Sequence, residues 1–93
     1  KTIKMTDTDW AELTKAVEET YPHFVQRLNE LCPLSQKELQ ICLLIKINLP
    51  LTQIADIVYS SKQGISSLRE RLYKKFTGEK GKPKDCDNFI RNL

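Results

Sequence analysis

Between Lys62 and Lys84 stand eight basic residues, Lys62, Arg69, Arg71, Lys74, Lys75, Lys80, Lys82 and Lys84, opposed only by Glu70 and Glu79. That stretch carries +6, while the remainder of a 93-residue chain with a total charge of +3 carries −3. A cation cluster of this density attracts a polyanion, raising encounter rate and non-specific affinity.

Other chemistries find little to work with. Acid–base catalysis needs convergent carboxylates or a partnered histidine. The only histidine is His23, and the acidic pairs Glu18-Glu19 and Asp85-x-Asp87 read as exposed helix charges. Neither a glycine-rich phosphate loop nor a nucleophile–base constellation occurs. Cys32, Cys42 and Cys86 are odd in number and widely spaced, without a C-x-x-C. A zinc site or a disulfide staple is therefore not expected, and Cys42 reads as a small core residue. The expectation is a binding protein rather than an enzyme, with no metal, cofactor or small-molecule substrate, in a reducing cytoplasm.

The chain has the means to position such a cluster. At this length one domain with a modest core is expected, burying roughly 60–65% of its extended surface. Hydrophobic residues at 40% and charged ones at 29% argue against wholesale disorder. Lys46 and Asn48 break the longest apolar run well short of the ~20 residues a membrane span needs, so no membrane insertion is expected. No signal segment opens the chain. It begins at Lys1, which suggests a processed or cloned fragment of something longer.

Apolar periodicity predicts an all-α bundle. Trp10, Leu13, Val17, Tyr21, Phe24, Leu28 and Leu31 recur at spacings of three and four, one stripe on a helix. Thr6-x-x-Asp9 forms a loose capping box before it. Tyr21-Pro22 predicts two helices there, or one with a kink. Ser35-Gln-Lys-Glu38 is a better capping box, opening a segment hydrophobic nearly all round: Leu39, Ile41, Cys42, Leu43, Leu44 and Ile45. This is the expected central helix. Asn48 and Pro50 mark a turn, and a short helix follows at about 51–58 with Ile54, Ala55 and Val58 inward. Tyr59-Ser60-Ser61 predicts a second turn with Ser61 as N-cap. The next helix runs from Lys62 to Phe76 or Thr77, with Gly78 as its stop. A charged loop, Gly78–Lys84, leads to a last short helix capped by Asp85, with Phe89, Ile90 and Leu93 apolar.

The Lys62–Phe76 helix separates two faces. With Ile65 set at about 0° on a wheel of about 100° per residue, Leu68, Leu72 and Phe76 fall within about 60° of it. Gln63, Ser67, Glu70 and Lys74 lie opposite, flanked by Ser66 and Arg71. Short polar side chains let a helix lie deep in a groove, where base edges are read, and flanking cations meet phosphates. Arg69 falls near the inner face and reads as structural, with Glu38 as a candidate partner. The short preceding helix, a tight turn and this exposed polar helix have the pattern of a helix-turn-helix, with small Ala55 where the two helices cross closely.

Leu34-Ser35-x-x-Glu38, Leu44-Ile45, Ile54-Ala55, Ser61-x-x-x-Ile65 and Leu72-x-Lys74-Lys75-Phe76 together resemble the LuxR/GerE-type DNA-binding domain. The resemblance covers residues 34–77, 44 of 93. The flanking segments look like the C-terminal regulator modules of large bacterial sensors, whose sensory half, of two-component or tetratricopeptide type, lies upstream. It implies an organisation of residues 1–33 as a helical extension or linker packed on the core and 34–93 as the helix-turn-helix domain with its tail. It implies sequence-specific binding of double-stranded DNA as the output of a transcriptional regulator, with Gln63, Ser66, Ser67 and Glu70 at base edges. Phosphate contacts would fall to Thr52, Lys62, Arg71, Lys74 and Lys75. It also implies a homodimer, with Phe89, Ile90 and Leu93 as candidate contacts or the Trp10–Leu31 stripe as the alternative surface. The chain departs from the family at Ser66, usually lysine, at Leu68, usually histidine, at Tyr59, usually glycine, and at Ser60, usually apolar. Glu70 stands where a basic residue is common; it either accepts from a cytosine amino group or repels phosphate. Two other readings share the pattern: the promoter-reading region 4 of a sigma factor, and a helix-turn-helix-shaped interaction module that does not bind DNA.

Overall fold

A computed structural model describes residues 4–93. Its described residues form six helices: α1 (Asp7–Thr20), α2 (Phe24–Leu31), α3 (Gln36–Lys46), α4 (Leu51–Ile57), α5 (Lys62–Thr77) and α6 (Pro83–Arg91). The all-α class follows, and the order and approximate bounds of the helices match the periodicity.

Local chemistry sets most of the helix ends. Thr6 and Ser35 each accept from the backbone N–H three residues on, while Asp9 and Glu38 reach back to the cap N–H, completing both boxes. The long N-terminal stripe breaks after Thr20. His23 takes a left-handed φ of 69°, so the chain turns there and α2 starts afresh. His23 offers α2 no side-chain cap. Glu18 supplies one instead: its carboxylate accepts from the Val25 N–H at 2.8 Å. The acid that spacing placed among exposed charges is half-buried and orders a neighbouring helix.

The last helix also differs from expectation. Pro83 occupies its first turn, and Asp85 lies inside the helix rather than at the cap, accepting from the Lys82 N–H at 2.8 Å. Proline is pre-organised for that position because the missing N–H has no partner to lose.

One hydrophobic cluster draws on every helix. Val17 of α1, Phe24 and Leu28 of α2, Ile54 and Ala55 of α4, Ile65 and Leu72 of α5 and Cys86 and Ile90 of α6 all close around α3. Residues Ile41 to Lys46 of α3 are all buried, as its all-round hydrophobicity predicts. Residues 7–31 therefore share the core of the rest. Trp10 is half-buried at its edge and Leu31 is exposed, so the outer ends of the stripe contribute less than Val17, Phe24 and Leu28, while Tyr21 in its middle is also exposed, at the α1–α2 junction.

Lys46 is the unexpected member of this interior. It is 7% exposed, yet its ammonium is not stranded. Nζ donates to the Arg91 carbonyl at 2.8 Å and to the Ile90 carbonyl at 3.4 Å, in the last turn of α6, where carbonyls lack the partners of a continuing helix. It also lies 4.4 Å from the Tyr21 ring centre and 5.2 Å from that of Phe24. One cation thus joins α3, α6 and the α1–α2 junction. Burial, with a smaller contribution from the Arg27 charge, lowers its pKa.

Candidate nucleic-acid interface

Three devices present α5 to solvent. Its start is fixed by Ser61, whose hydroxyl accepts from the Gly64 N–H at 3.0 Å. The chain reaches Ser61 through Tyr59, which holds a left-handed φ of 55° and is 63% exposed. A residue with a Cβ resists that conformation by about 1–2 kcal/mol. This is the position where the family resemblance implies glycine, and the backbone requirement is met here without it. Its end is fixed by Gly78, whose φ of 79° stops the helix and whose N–H donates to the Lys74 carbonyl at 2.7 Å.

The two faces of α5 are sharply different. Ile65, Leu68, Leu72 and Phe76 are buried, and so is Arg69. Gln63, Ser67, Glu70, Arg71 and Lys74 are exposed along the opposite side, and Lys62 is exposed at the first position of the helix. Ser66 is half-buried at the boundary, which makes it the least open of the four base-edge candidates. Thr52 is exposed in the first turn of α4, which packs against α5. A shallow concavity of about 460 Å³ lies along the outer face, lined by Ser67, Glu70, Arg71, Lys74, Lys80 and Gly81. Among the described residues, no carboxylate lies within ion-pairing distance of Arg71, Lys74 or Lys80.

The basic residues on the other side are committed to the fold. Arg69 donates through Nε and a terminal nitrogen to the two oxygens of Asp87, at 2.9 and 2.5 Å. Its structural role holds, but the partner is Asp87 of α6 and not Glu38. Asp87 is correspondingly no free surface charge. Glu38 is taken by Lys75, whose Nζ stands 3.1 Å away. Lys75, a phosphate candidate by spacing, is thus engaged with α3. Burial works against the Glu38 carboxylate, yet the Ser35 N–H and the Lys75 ammonium outweigh it and hold its pKa below the ordinary value.

The C-terminal contact candidates also divide. Ile90 is fully buried against α3 and cannot face a second molecule. Phe89 is half-buried, stacked on Phe76 with ring centres 5.3 Å apart and edge-on to Tyr73 at 6.4 Å. Leu93 is half-buried and its carbonyl accepts from Arg27 at 3.1 Å. Only Phe89 and Leu93 reach the surface, beside Tyr73, Asp85, Asn88 and Asn92 in a groove of about 430 Å³.

Burial works against the thiolate at each cysteine, least at the half-buried Cys32. Cys42 and Cys86 are buried, which pushes both thiols up, that of Cys86 to about 12. Among the described residues, no three His, Cys, Asp or Glu side chains converge as a metal site would require. Nor is any described helix long and apolar enough to cross a membrane. Set against known protein families, curated proteins and solved structures, the chain matches none.

Proposed function

We propose that α4 and α5 act as a helix-turn-helix, with α5 lying in the major groove of double-stranded DNA, and that the chain is the DNA-binding output of a transcriptional regulator. The observation that carries this reading is the sorting of cations on α5. Arg69 and Lys75 are paired with α6 and α3, while Lys62, Arg71 and Lys74 are exposed and unpaired on the helix that also exposes the uncharged polar side chains of Gln63 and Ser67. An exposed helix with small polar centre and unpaired cationic flanks suits base edges between two phosphate rails. Glu70 is exposed on the same face, and in this reading its carboxylate accepts from a cytosine amino group. One recognition helix buries too little for ~10⁻⁸ M specific binding, so two copies on two half-sites complete the reading. Phe89 on α6 and Leu93 just beyond its end are the candidate contacts.

A salt series tests the proposal. For a random-sequence duplex, log affinity falls linearly with log salt, and Lys74→Ala and Arg71→Ala each reduce the slope by about 0.9. Unchanged affinity and slope in both variants reject groove docking. They favour the second reading, an interaction module of the same shape, for which the unpaired acid Glu70 in the middle of the face is the supporting observation.

A further inference from the structure

Lys80 lies outside every helix, in the stretch from Gly78 to Lys82 that joins α5 to α6. By composition this is a solvated charge run. By geometry it is fastened at each step. The Thr77 hydroxyl donates to the Tyr73 carbonyl at 2.8 Å and accepts from the Glu79 N–H at 3.1 Å. The Lys82 N–H is held by Asp85. Between these points Gly81 lies against the Tyr73 ring so closely that an added Cβ would stand 2.5 Å from two ring carbons and 3.0 Å from the Asp85 carboxylate. The ring is itself braced edge-on by Phe89. The loop is thereby folded back along α5, and Lys80 enters the same concavity as Arg71 and Lys74.

We propose that Lys80 is a loop-borne phosphate contact of the interface, and that Gly81, through its close approach to the Tyr73 ring, is the residue that positions it. This rests on the DNA-binding reading of α5. The chemistry that fits the site is a phosphodiester: three unpaired cations from two elements, Arg71, Lys74 and Lys80, line one shallow hollow against the single carboxylate of Glu70, a net +2, and phosphate is bound by charge with little demand on geometry. Glycine is required at 81 by the close approach of backbone to ring, since its φ is not in the left-handed region.

The test is the salt dependence of binding of the full chain to a random-sequence DNA duplex, read by fluorescence anisotropy, with folding checked by circular dichroism. Lys80→Ala is expected to lower the slope of log affinity against log salt by about 0.9, one phosphate contact. Lys80→Arg restores it, and Lys15→Ala on the exposed side of α1 leaves it unchanged. Gly81→Ala removes no charge yet is expected to lose most of the same slope, and the double variant Lys80→Ala/Gly81→Ala to lose no more than Lys80→Ala alone. Should Gly81→Ala unfold the chain, Tyr73→Leu, which removes the flat ring, carries the same comparison. A melting-temperature change in Gly81→Ala with a wild-type slope overturns the positioning role. A Lys80→Ala slope equal to that of Lys15→Ala overturns the phosphate contact, while a loss in Lys74→Ala and Arg71→Ala still stands for α5. No salt-dependent binding by the unaltered chain rejects the α5 reading and this one together.

Discussion

Arg69 and Arg71 stand two residues apart on α5 in opposite surroundings. Arg69 is buried, its guanidinium clasped by Asp87. Arg71 is exposed and, among the described residues, has no carboxylate in reach. Lys75 and Lys74 repeat the contrast one turn later, Lys75 held by Glu38 and Lys74 free. Adjacent cations on one helix thus serve two purposes, decided by which side of the cylinder they leave. The +6 counted between Lys62 and Lys84 overstates the charge offered to a partner: with Arg69 and Lys75 neutralised by acids outside the stretch, +4 remains.

The contrast can be broken most forcefully from the buried side. Asp87→Ala leaves the Arg69 guanidinium buried without a counter-charge and is expected to cost about 3–5 kcal/mol. Arg71→Ala is expected to stay within about 0.5 kcal/mol, as surface substitutions do. Urea denaturation of the two variants measures the difference, and comparable losses would erase the distinction. Lys46→Met tests the other buried cation. It keeps the apolar stem but strips the donors from the end of α6, at an expected cost of about 1.5–3 kcal/mol for charged hydrogen bonds.

Smaller effects sharpen the lysine pair. Lys75→Ala is expected to lose no more than about 1 kcal/mol, because its side chain is 46% exposed and the pair is screened by water. Lys74→Ala is expected to leave stability unchanged and to lose DNA affinity more than Lys75→Ala does. Glu38 adds a pH signature. Its folded pKa is depressed, so its contribution is present above the ordinary glutamate value of about 4.3 and is lost as pH falls through the lower folded value. Stability therefore declines on acidification through that window. Glu38→Gln flattens the decline, a difference that thermal melts at acidic and neutral pH resolve.

Much of the architecture was legible because it is local. Thr6, Ser35 and Ser61 act within three residues of themselves, and Gly78 stops the helix it follows. The apolar side of α5 was legible because a helix repeats every 3.6 residues whatever it packs on. What the wheel missed was partnership. Arg69 was placed correctly near the inner face but assigned to Glu38, since a wheel carries no information about α6. Asp87 and Glu18 read as surface charges in the sequence because their partners, Arg69 and the Val25 N–H, stand 18 and 7 residues away. Ile90 was offered to a second molecule because a nine-residue helix shows an apolar face without showing what covers it.

The sequence by itself determined an all-helical chain, most of its helix ends but not the starts of α2 and α6, the inner and outer sides of α5 and the concentration of cations there. These follow from capping, periodicity and composition, which act over a few residues. Only the tertiary structure decided which cations are free, that Lys46 is buried and employed, and that Gly81 folds the basic loop beside α5. Each of those depends on two segments brought together by the collapse of one apolar core, and no short-range pattern encodes which carboxylate, carbonyl or ring will be waiting there.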